Sequence, residues 1–185
     1  MKKKAGNVAP LFRHLSKQDL ERLASTHLLE NHLRFKPNYF LTVRLYGADD
    51  RRTAKWLNEN ERPAQLLAGV RIVNQLDKAV YGSLVRRLLA GSRYPYFMRL
   101  ETVSKTGDAC PGHYHILFKL SPIEEAHFHN RQEALRAALM KKLRALGFAP
   151  DIMLQEHDAQ KCSYLTKYAH EDVLNFFTRD FPAKA

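Results

Sequence analysis

Two histidines separated by one residue, His113 and His115, have the spacing that points most directly to chemistry. They lie in a segment, residues 113–120, whose aromatic and aliphatic composition predicts a strand. Because successive strand side chains face opposite sides of a sheet, both imidazoles face one side while Tyr114 faces the core. Two neutral imidazoles on a rigid strand form half of a site for a divalent metal ion. The spacing leaves a second interpretation open, in which the histidines merely line a sheet face.

A carboxylate on the preceding predicted strand can complete this site. Residues 96–103 and 113–120 are predicted to pair as a hairpin through a turn over residues 106–112. Glu101 then lies within cross-strand reach of both histidines. Two histidines and one carboxylate leave positions for phosphate oxygens and water, which suits Mg²⁺ or Mn²⁺. The alternative is that Glu101 pairs with a nearby arginine such as Arg99.

A second pair with the same spacing, His127 and His129, has a different context. Ser121, Pro122 and Glu124 predict a capping box that begins a helix. Residues two apart on a helix point about 200° away from each other, so this pair cannot bind one ion together. We expect both histidines in the first turns of that helix, where they face solvent or serve as capping residues.

Tyr164, Lys167 and Tyr168 form a further group of reactive side chains. Spacings of three and four residues place them along one face of a helix predicted over residues 161–172. A tyrosine hydroxyl has an ordinary pKa of about 10, so it needs a cation or metal ion nearby to attack a phosphodiester. Lys167 can neutralise phosphate charge. The alternative is that the tyrosines pack as core or interface aromatics beside a surface lysine.

The composition bounds the partner and the compartment. The chain has 185 residues with 30 Lys and Arg against 19 Asp and Glu, a net charge of +11. This charge favours a polyanionic partner, with nucleic acid as the leading candidate and a merely solvated basic surface as the alternative. Cys110 and Cys162 suggest neither a disulfide framework nor a zinc pattern, which fits a reducing compartment. No apolar run is long enough to span a membrane, so we expect a soluble cytoplasmic protein.

The remaining patterns predict the elements that must position these residues. A helix over 16–33 is followed by a strand over 39–46, where apolar and polar residues alternate. Three- and four-residue apolar spacing predicts a long helix over 63–89 and another over 121–146. A short extended segment over 152–155 precedes the tyrosine helix. The predicted class is α+β, an antiparallel sheet with helices packed on its faces.

The motifs in their order resemble the HUH endonucleases, in particular the rolling-circle replication initiators of phages and plasmids. The string His113-Tyr-His115 is followed by Tyr164-x-x-Lys167. In initiators and single-strand transposases the tyrosine follows the histidines, whereas in conjugative relaxases it precedes them, and Lys167 favours initiators. Phe40-Leu-Thr-Val43 looks like the first motif strand of the family. The resemblance covers residues 38–172 and leaves 49–91 unmatched.

The resemblance implies a fold, a domain division and an activity. The fold is an HUH/RRM-like, ferredoxin-like sheet within an endonuclease domain over 38–175 that carries a helical insertion at about 49–92. A basic arm and helix over 1–37 precede it, and a tail over 176–185 follows it. The implied activity is to nick single-stranded DNA through a covalent 5′-phosphotyrosine and so to initiate rolling-circle replication. The implied partners are origin DNA, as a single strand or a hairpin, and host replication proteins in a bacterial cytoplasm, with no membrane.

The resemblance also implies roles for single residues. His113, His115 and Glu101 hold Mg²⁺ or Mn²⁺, Tyr164 is the nucleophile, and Lys167 assists at the phosphate. Tyr168 is similar to the second tyrosine of initiators in which two tyrosines alternate as nucleophile.

Two other functions fit part of the pattern. A single-strand transposase shares the histidines but resembles a pattern with glutamine where this chain has Tyr168. A non-catalytic nucleic-acid-binding domain explains the charge and a stacking role for Tyr164, but it leaves the histidine pair without a role. Dependence on metal distinguishes this last function from the enzymes.

Overall fold

The computed structural model describes residues 36–47, 50–88, 93–104, 108–156 and 176–179. These residues form a five-stranded antiparallel sheet with packed helices, which confirms the predicted α+β class. The strands are β1 (Tyr39–Arg44), β2 (Tyr96–Val103), β3 (Ala109–Phe118), β4 (Asp151–Glu156) and β5 (Phe176–Arg179), in the order β4-β1-β3-β2-β5. The helices are α1 (Ala54–Asn60), α2 (Arg62–Tyr81), α3 (Pro122–His129) and α4 (Gln132–Arg144), with a 3₁₀ helix over Gly82–Arg86.

One face of the sheet carries the hydrophobic core. Tyr114, Ile116 and Phe118 of β3 are fully buried, as their alternation with the histidines predicts. Apolar side chains of α2, α3 and α4 join them in one cluster, which includes Ile72, Leu76, Phe128, Leu135, Leu139 and Leu143. The core therefore fixes β3 from one side, and His113 and His115 project from the other.

The β2–β3 hairpin is present, but its second strand begins earlier than predicted. β3 begins at Ala109, so residues 109–112 belong to the strand rather than to the turn. A register shift separates the pair Glu101 and His113 from the pair Val103 and Ala109, which is a β-bulge on β3. The backbone N–H of Ser104, just after β2, donates to the Asp108 carbonyl, just before β3, at 2.7 Å.

The helix that begins after Ser121 is shorter than predicted. The predicted capping box is confirmed, because the Ser121 side chain accepts from the Glu124 N–H and the Glu124 carboxylate accepts from the Ser121 N–H. The single helix predicted over 121–146 is instead divided into α3 and α4. Arg131 leaves helical geometry at this break, with φ of −121°, and donates to the Ala79 carbonyl. Packing against α2 therefore interrupts a stretch that is locally helical.

The α2 helix also ends before its predicted limit. It stops at Tyr81 because Gly82 adopts a φ of +60°, a left-handed conformation that glycine tolerates and other residues rarely adopt. The chain continues into the 3₁₀ helix. Further along, the guanidinium of Arg93 forms an ion pair with the carboxylate of Asp77 at 2.7 Å. Neither α2 nor any other helix in the described parts of the chain is long and apolar enough to cross a membrane.

Residues 176–179 belong to the predicted C-terminal tail, but they form the edge strand β5. Its Phe-Phe-Thr-Arg sequence carries aromatic and β-branched residues, and the free edge of β2 supplies the partner. The extended segment predicted over 152–155 is β4, which pairs with β1. The helices predicted over 16–33 and 161–172 lie outside the described residues.

Candidate metal centre

Glu101, His113 and His115 come together on the sheet face opposite the core. Glu101 is the direct cross-strand partner of His113, and His115 lies two residues further along β3. The Oε2 atom of Glu101 is 3.4 Å from Nε2 of His113 and 3.1 Å from Nε2 of His115. The structure therefore brings together the three residues that the sequence predicts as ligands, and the Glu101 carboxylate faces the two imidazoles.

The spacing of the donor atoms fits a bound cation. One nitrogen from each histidine and one carboxylate oxygen all lie within 4.8 Å of one another. With metal–ligand bonds of about 2.1 Å, neighbouring donors stand about 3.0 Å apart in an octahedron and about 3.4 Å apart in a tetrahedron. The two distances from Oε2 fall in that range, so the group could hold a metal ion. This geometry does not select one metal over another.

Hydrogen bonds on the far side of each ring orient the imidazoles. Nδ1 of His113 lies 3.1 Å from the carbonyl oxygen of Pro111. A carbonyl only accepts, so this contact requires the proton on Nδ1 and leaves the Nε2 lone pair of the neutral ring to face the donor group. Nδ1 of His115 lies 3.2 Å from the hydroxyl oxygen of Thr42. Both rings thus direct Nε2 inward, the arrangement that metal-ligating histidines show.

Burial and charge act in opposite directions on the carboxylate and on one imidazole. Burial alone would raise the pKa of Glu101, but hydrogen bonds to His113 and His115 and their charge lower this pKa to about 2. Burial alone would lower the pKa of His113, but hydrogen bonds to Cys110, Glu101 and Pro111 and the charge of Glu101 raise it to about 10. Burial dominates at His115 and lowers its pKa. By itself the cluster is an ion pair of Glu101 with His113, beside a neutral His115.

The strand β1 supports His115 and lies on the opposite side of β3 from β2. Thr42 and His115 are direct cross-strand partners, and the Phe40 ring stacks on the His115 ring at 5.4 Å with an interplanar angle of 13°. Sequence reasoning did not give these two residues a role at the metal site. Alternation along β1 puts them on one face, but only the pairing of β1 with β3 shows that this is the ligand face.

The helix α1 fixes the hairpin beside the site. The side-chain amide of Asn58 donates to the carbonyl of Thr102 at 3.2 Å and to the carbonyl of Cys110 at 3.0 Å. These carbonyls belong to opposite strands next to Glu101 and the bulge, so one amide bridges both strands. Sequence analysis left this part of the chain without a role. The apolar spacing predicted a helix over 63–89 and not over α1, and nothing local indicated which side chain reaches the hairpin.

The other predicted residues divide into two groups. His127 and His129 lie exposed in the last turn of α3, in agreement with the prediction that they face solvent. Tyr164, Lys167 and Tyr168 lie outside the described residues, so their predicted roles stay predictions. Comparison with known proteins gave no match to a family model, a curated protein or a solved structure.

Proposed function

We propose that this chain is a metal-dependent endonuclease and strand transferase that nicks single-stranded DNA through a covalent tyrosine intermediate and so initiates rolling-circle replication. The observation that carries the proposal is the convergence of Glu101, His113 and His115 on one sheet face. The motif order supports it, since a tyrosine with a lysine three residues later follows the histidine pair. The net charge of +11 supports a polyanionic substrate.

The three residues would hold a divalent cation, which we propose to be Mg²⁺ or Mn²⁺. When bound, the ion supplies Lewis-acid polarisation of the scissile phosphate. The protein's own contribution is a rigid donor set, because His113 and His115 are held on one strand by the core and by hydrogen bonds at Nδ1. The two ligating imidazoles are neutral, so Glu101 supplies the negative charge that favours binding of a divalent ion.

The point at which the chain enters β5 supports the choice of a tyrosine that precedes this strand. β4 and β5 lie at opposite edges of the sheet, and 19 residues separate Glu156 from Phe176 in the sequence. Phe176 pairs with Arg99, and β5 is antiparallel to β2, so the chain enters β5 from the end of β2 that carries Glu101. Tyr168 and Tyr164 precede Phe176 by only 8 and 12 residues.

In the proposed reaction, the Tyr164 hydroxyl loses its proton and its oxygen attacks the phosphorus of the scissile phosphodiester. The bond from phosphorus to the 3′ oxygen breaks, and that oxygen leaves as a free 3′-hydroxyl after taking a proton. Lys167 neutralises charge on the phosphate during the attack. The 5′-phosphotyrosyl ester keeps its bond energy, so a later 3′-hydroxyl can attack it and rejoin the strand. Tyr168 is the proposed second nucleophile.

Intact-protein mass spectrometry tests the proposal. The protein is incubated with Mn²⁺ and single-stranded oligonucleotides tiled across the DNA that neighbours its own coding sequence. We expect a mass increase equal to one oligonucleotide fragment, and its loss in chelator. Tyr164→Phe should abolish the adduct, and an undiminished adduct in this variant would move the nucleophile to Tyr168.

The chain supplies a matched control for the metal ligands. His113→Ala with His115→Ala should abolish the adduct, whereas His127→Ala with His129→Ala removes the same two groups from an exposed helix end and should leave it intact. No adduct on any oligonucleotide, together with DNA binding that is equal in chelator, would replace the proposal with a non-catalytic single-stranded nucleic-acid-binding domain.

A further inference from the structure

The hydroxyl of Thr42 contacts the metal centre from the strand next to the histidines. Thr42 lies directly opposite His115 in the pairing of β1 with β3. Its Oγ1 atom is 3.2 Å from Nδ1 of His115, and both residues are more than nine-tenths buried. Leu41 and Val43, which lie on the face of β1 opposite Thr42, belong to the core. Thr42 is thus a buried polar residue on a strand whose neighbouring positions are apolar.

The two ligand histidines have different partners at Nδ1. His113 faces the Pro111 carbonyl, which accepts only and therefore holds a single arrangement of the ring proton. His115 faces a hydroxyl, which both donates and accepts. A neutral His115 with its proton on Nε2 presents an N–H to Oε2 of Glu101, which lies 3.1 Å away, and Thr42 then donates to Nδ1. With the proton on Nδ1, the ring donates to Thr42 and Nε2 presents a lone pair.

Only the second arrangement allows His115 to bind a cation through Nε2. Without the hydroxyl, Nδ1 of a buried ring would face an apolar group in both arrangements, and a buried polar group without a hydrogen-bond partner is destabilising. The Phe40 ring, stacked on His115, restrains the plane of the imidazole but offers no hydrogen bond. The hydroxyl therefore orients the ring and stays paired when the proton moves between the nitrogens.

We infer that Thr42 is a positioning residue for the metal centre, whose hydroxyl accepts from Nδ1 of His115 and so presents Nε2 of that ring to a divalent cation. The inference rests on the metal-binding part of the proposed function and does not depend on the nucleophile. Its prediction is specific to the hydroxyl group. Valine has the same shape without the oxygen, whereas serine keeps the oxygen and loses a methyl group.

The test is calorimetric titration of the full chain and its variants with Mn²⁺. Loss of an outer hydrogen-bond partner of a metal-ligating histidine typically weakens metal binding by about 10–100-fold. We expect that loss for Thr42→Val, and binding within about threefold of the original for Thr42→Ser. Thr102→Val is the matched control, because it makes the same change on β2, where alternation turns the side chain away from the Glu101 face.

Histidine ¹⁵N NMR gives a second readout that needs no variant. Because Mn²⁺ is paramagnetic, the spectra are recorded with diamagnetic Mg²⁺ or Zn²⁺ in its place. With either ion bound, His115 should carry its proton on Nδ1. A proton on Nε2 in the presence of bound metal, or Thr42→Val binding Mn²⁺ as tightly as the original chain, would overturn the inference. If the original chain binds no metal at all, both the inference and the metal requirement of the proposed function fail. Unchanged binding by Thr42→Val, in contrast, overturns the inference alone.

Discussion

Replacing Glu101 by glutamine should destabilise the metal-free protein, because this carboxylate is the only negative charge in the cluster of Glu101, His113 and His115. The amide keeps the shape, but it carries no charge to balance the His113 imidazolium. The pKa of Glu101 is lowered from 4.5 to about 2. At about 1.4 kcal/mol per unit, this shift corresponds to about 3 kcal/mol of native-state stabilisation. Removal of one partner from a buried ion pair costs a similar amount, about 3–5 kcal/mol.

The pH dependence of this effect follows from the two shifted groups. The pKa of Glu101 is lowered, so its contribution to the free energy of unfolding is present above pH 4.5 and is lost as the pH falls through about 2. The pKa of His113 is raised from 6.5 to about 10, so its contribution is complete below pH 6.5 and is lost as the pH rises through about 10. The difference between the original chain and Glu101→Gln should therefore be largest between these ordinary values, from about pH 4.5 to 6.5.

Urea denaturation in chelator, followed by circular dichroism across this pH range, measures the difference. Glu133→Gln is the control, because Glu133 is exposed on α4 with a 3.5 Å pair to Arg136. Removal of such a surface pair should change the free energy of unfolding by less than about 1 kcal/mol. If Glu101→Gln is as stable as the original chain near pH 5.5, the electrostatic reasoning about this cluster is refuted.

Two further changes test the packing around the site. Gly69→Ala should lower the free energy of unfolding by about 1–3 kcal/mol despite the better helix propensity of alanine, because the new Cβ would lie 2.6 Å from the buried Tyr114 hydroxyl. Gly47→Ala, where the nearest atom is 3.5 Å away, should be nearly neutral in the same urea titration. Asn58→Ala should cost about 1–3 kcal/mol and weaken Mn²⁺ binding, since two hairpin carbonyls lose their donor; unchanged calorimetric affinity would show that this clamp does not support the site.

The metal ligands could be predicted because they depend on short-range rules. Alternation within β3 puts His113 and His115 on one face, and a short connection makes the two strands of the hairpin neighbours. The position of Glu101 beside the two histidines follows from that pairing. The core residues of β3 follow from the same alternation. Each of these predictions needs only two adjacent elements and no knowledge of the rest of the sheet.

The errors arise where a distant partner decides the local structure. Pro111 and Gly112 are typical turn residues, yet the backbone N–H of Leu45 donates to the Gly112 carbonyl at 3.3 Å and draws this segment into the sheet. The Asn58 amide fixes the same segment from α1. β5 is only four residues long, and its pairing depends on a free edge of β2 that no local pattern reveals. Thr42 was missed for the same reason, because the sequence does not say which strand β1 joins.

The same electrostatics that stabilise the metal-free cluster oppose metal binding, and this opposition has a measurable consequence. A cation binds Nε2 of His113 only after this ring has lost its extra proton, and the pKa of that proton is raised to about 10. Binding at neutral pH should therefore release about one proton, and Mn²⁺ affinity should rise about tenfold per pH unit between pH 6.5 and 8.5. Calorimetry in buffers of different ionisation enthalpy counts the released protons directly. His129→Ala is the control, since His129 lies exposed in α3 and its loss should leave the count unchanged. An affinity that is flat over this range, with no proton release, would mean that His113 is already neutral and that Glu101 is held in place by something other than the His113 charge.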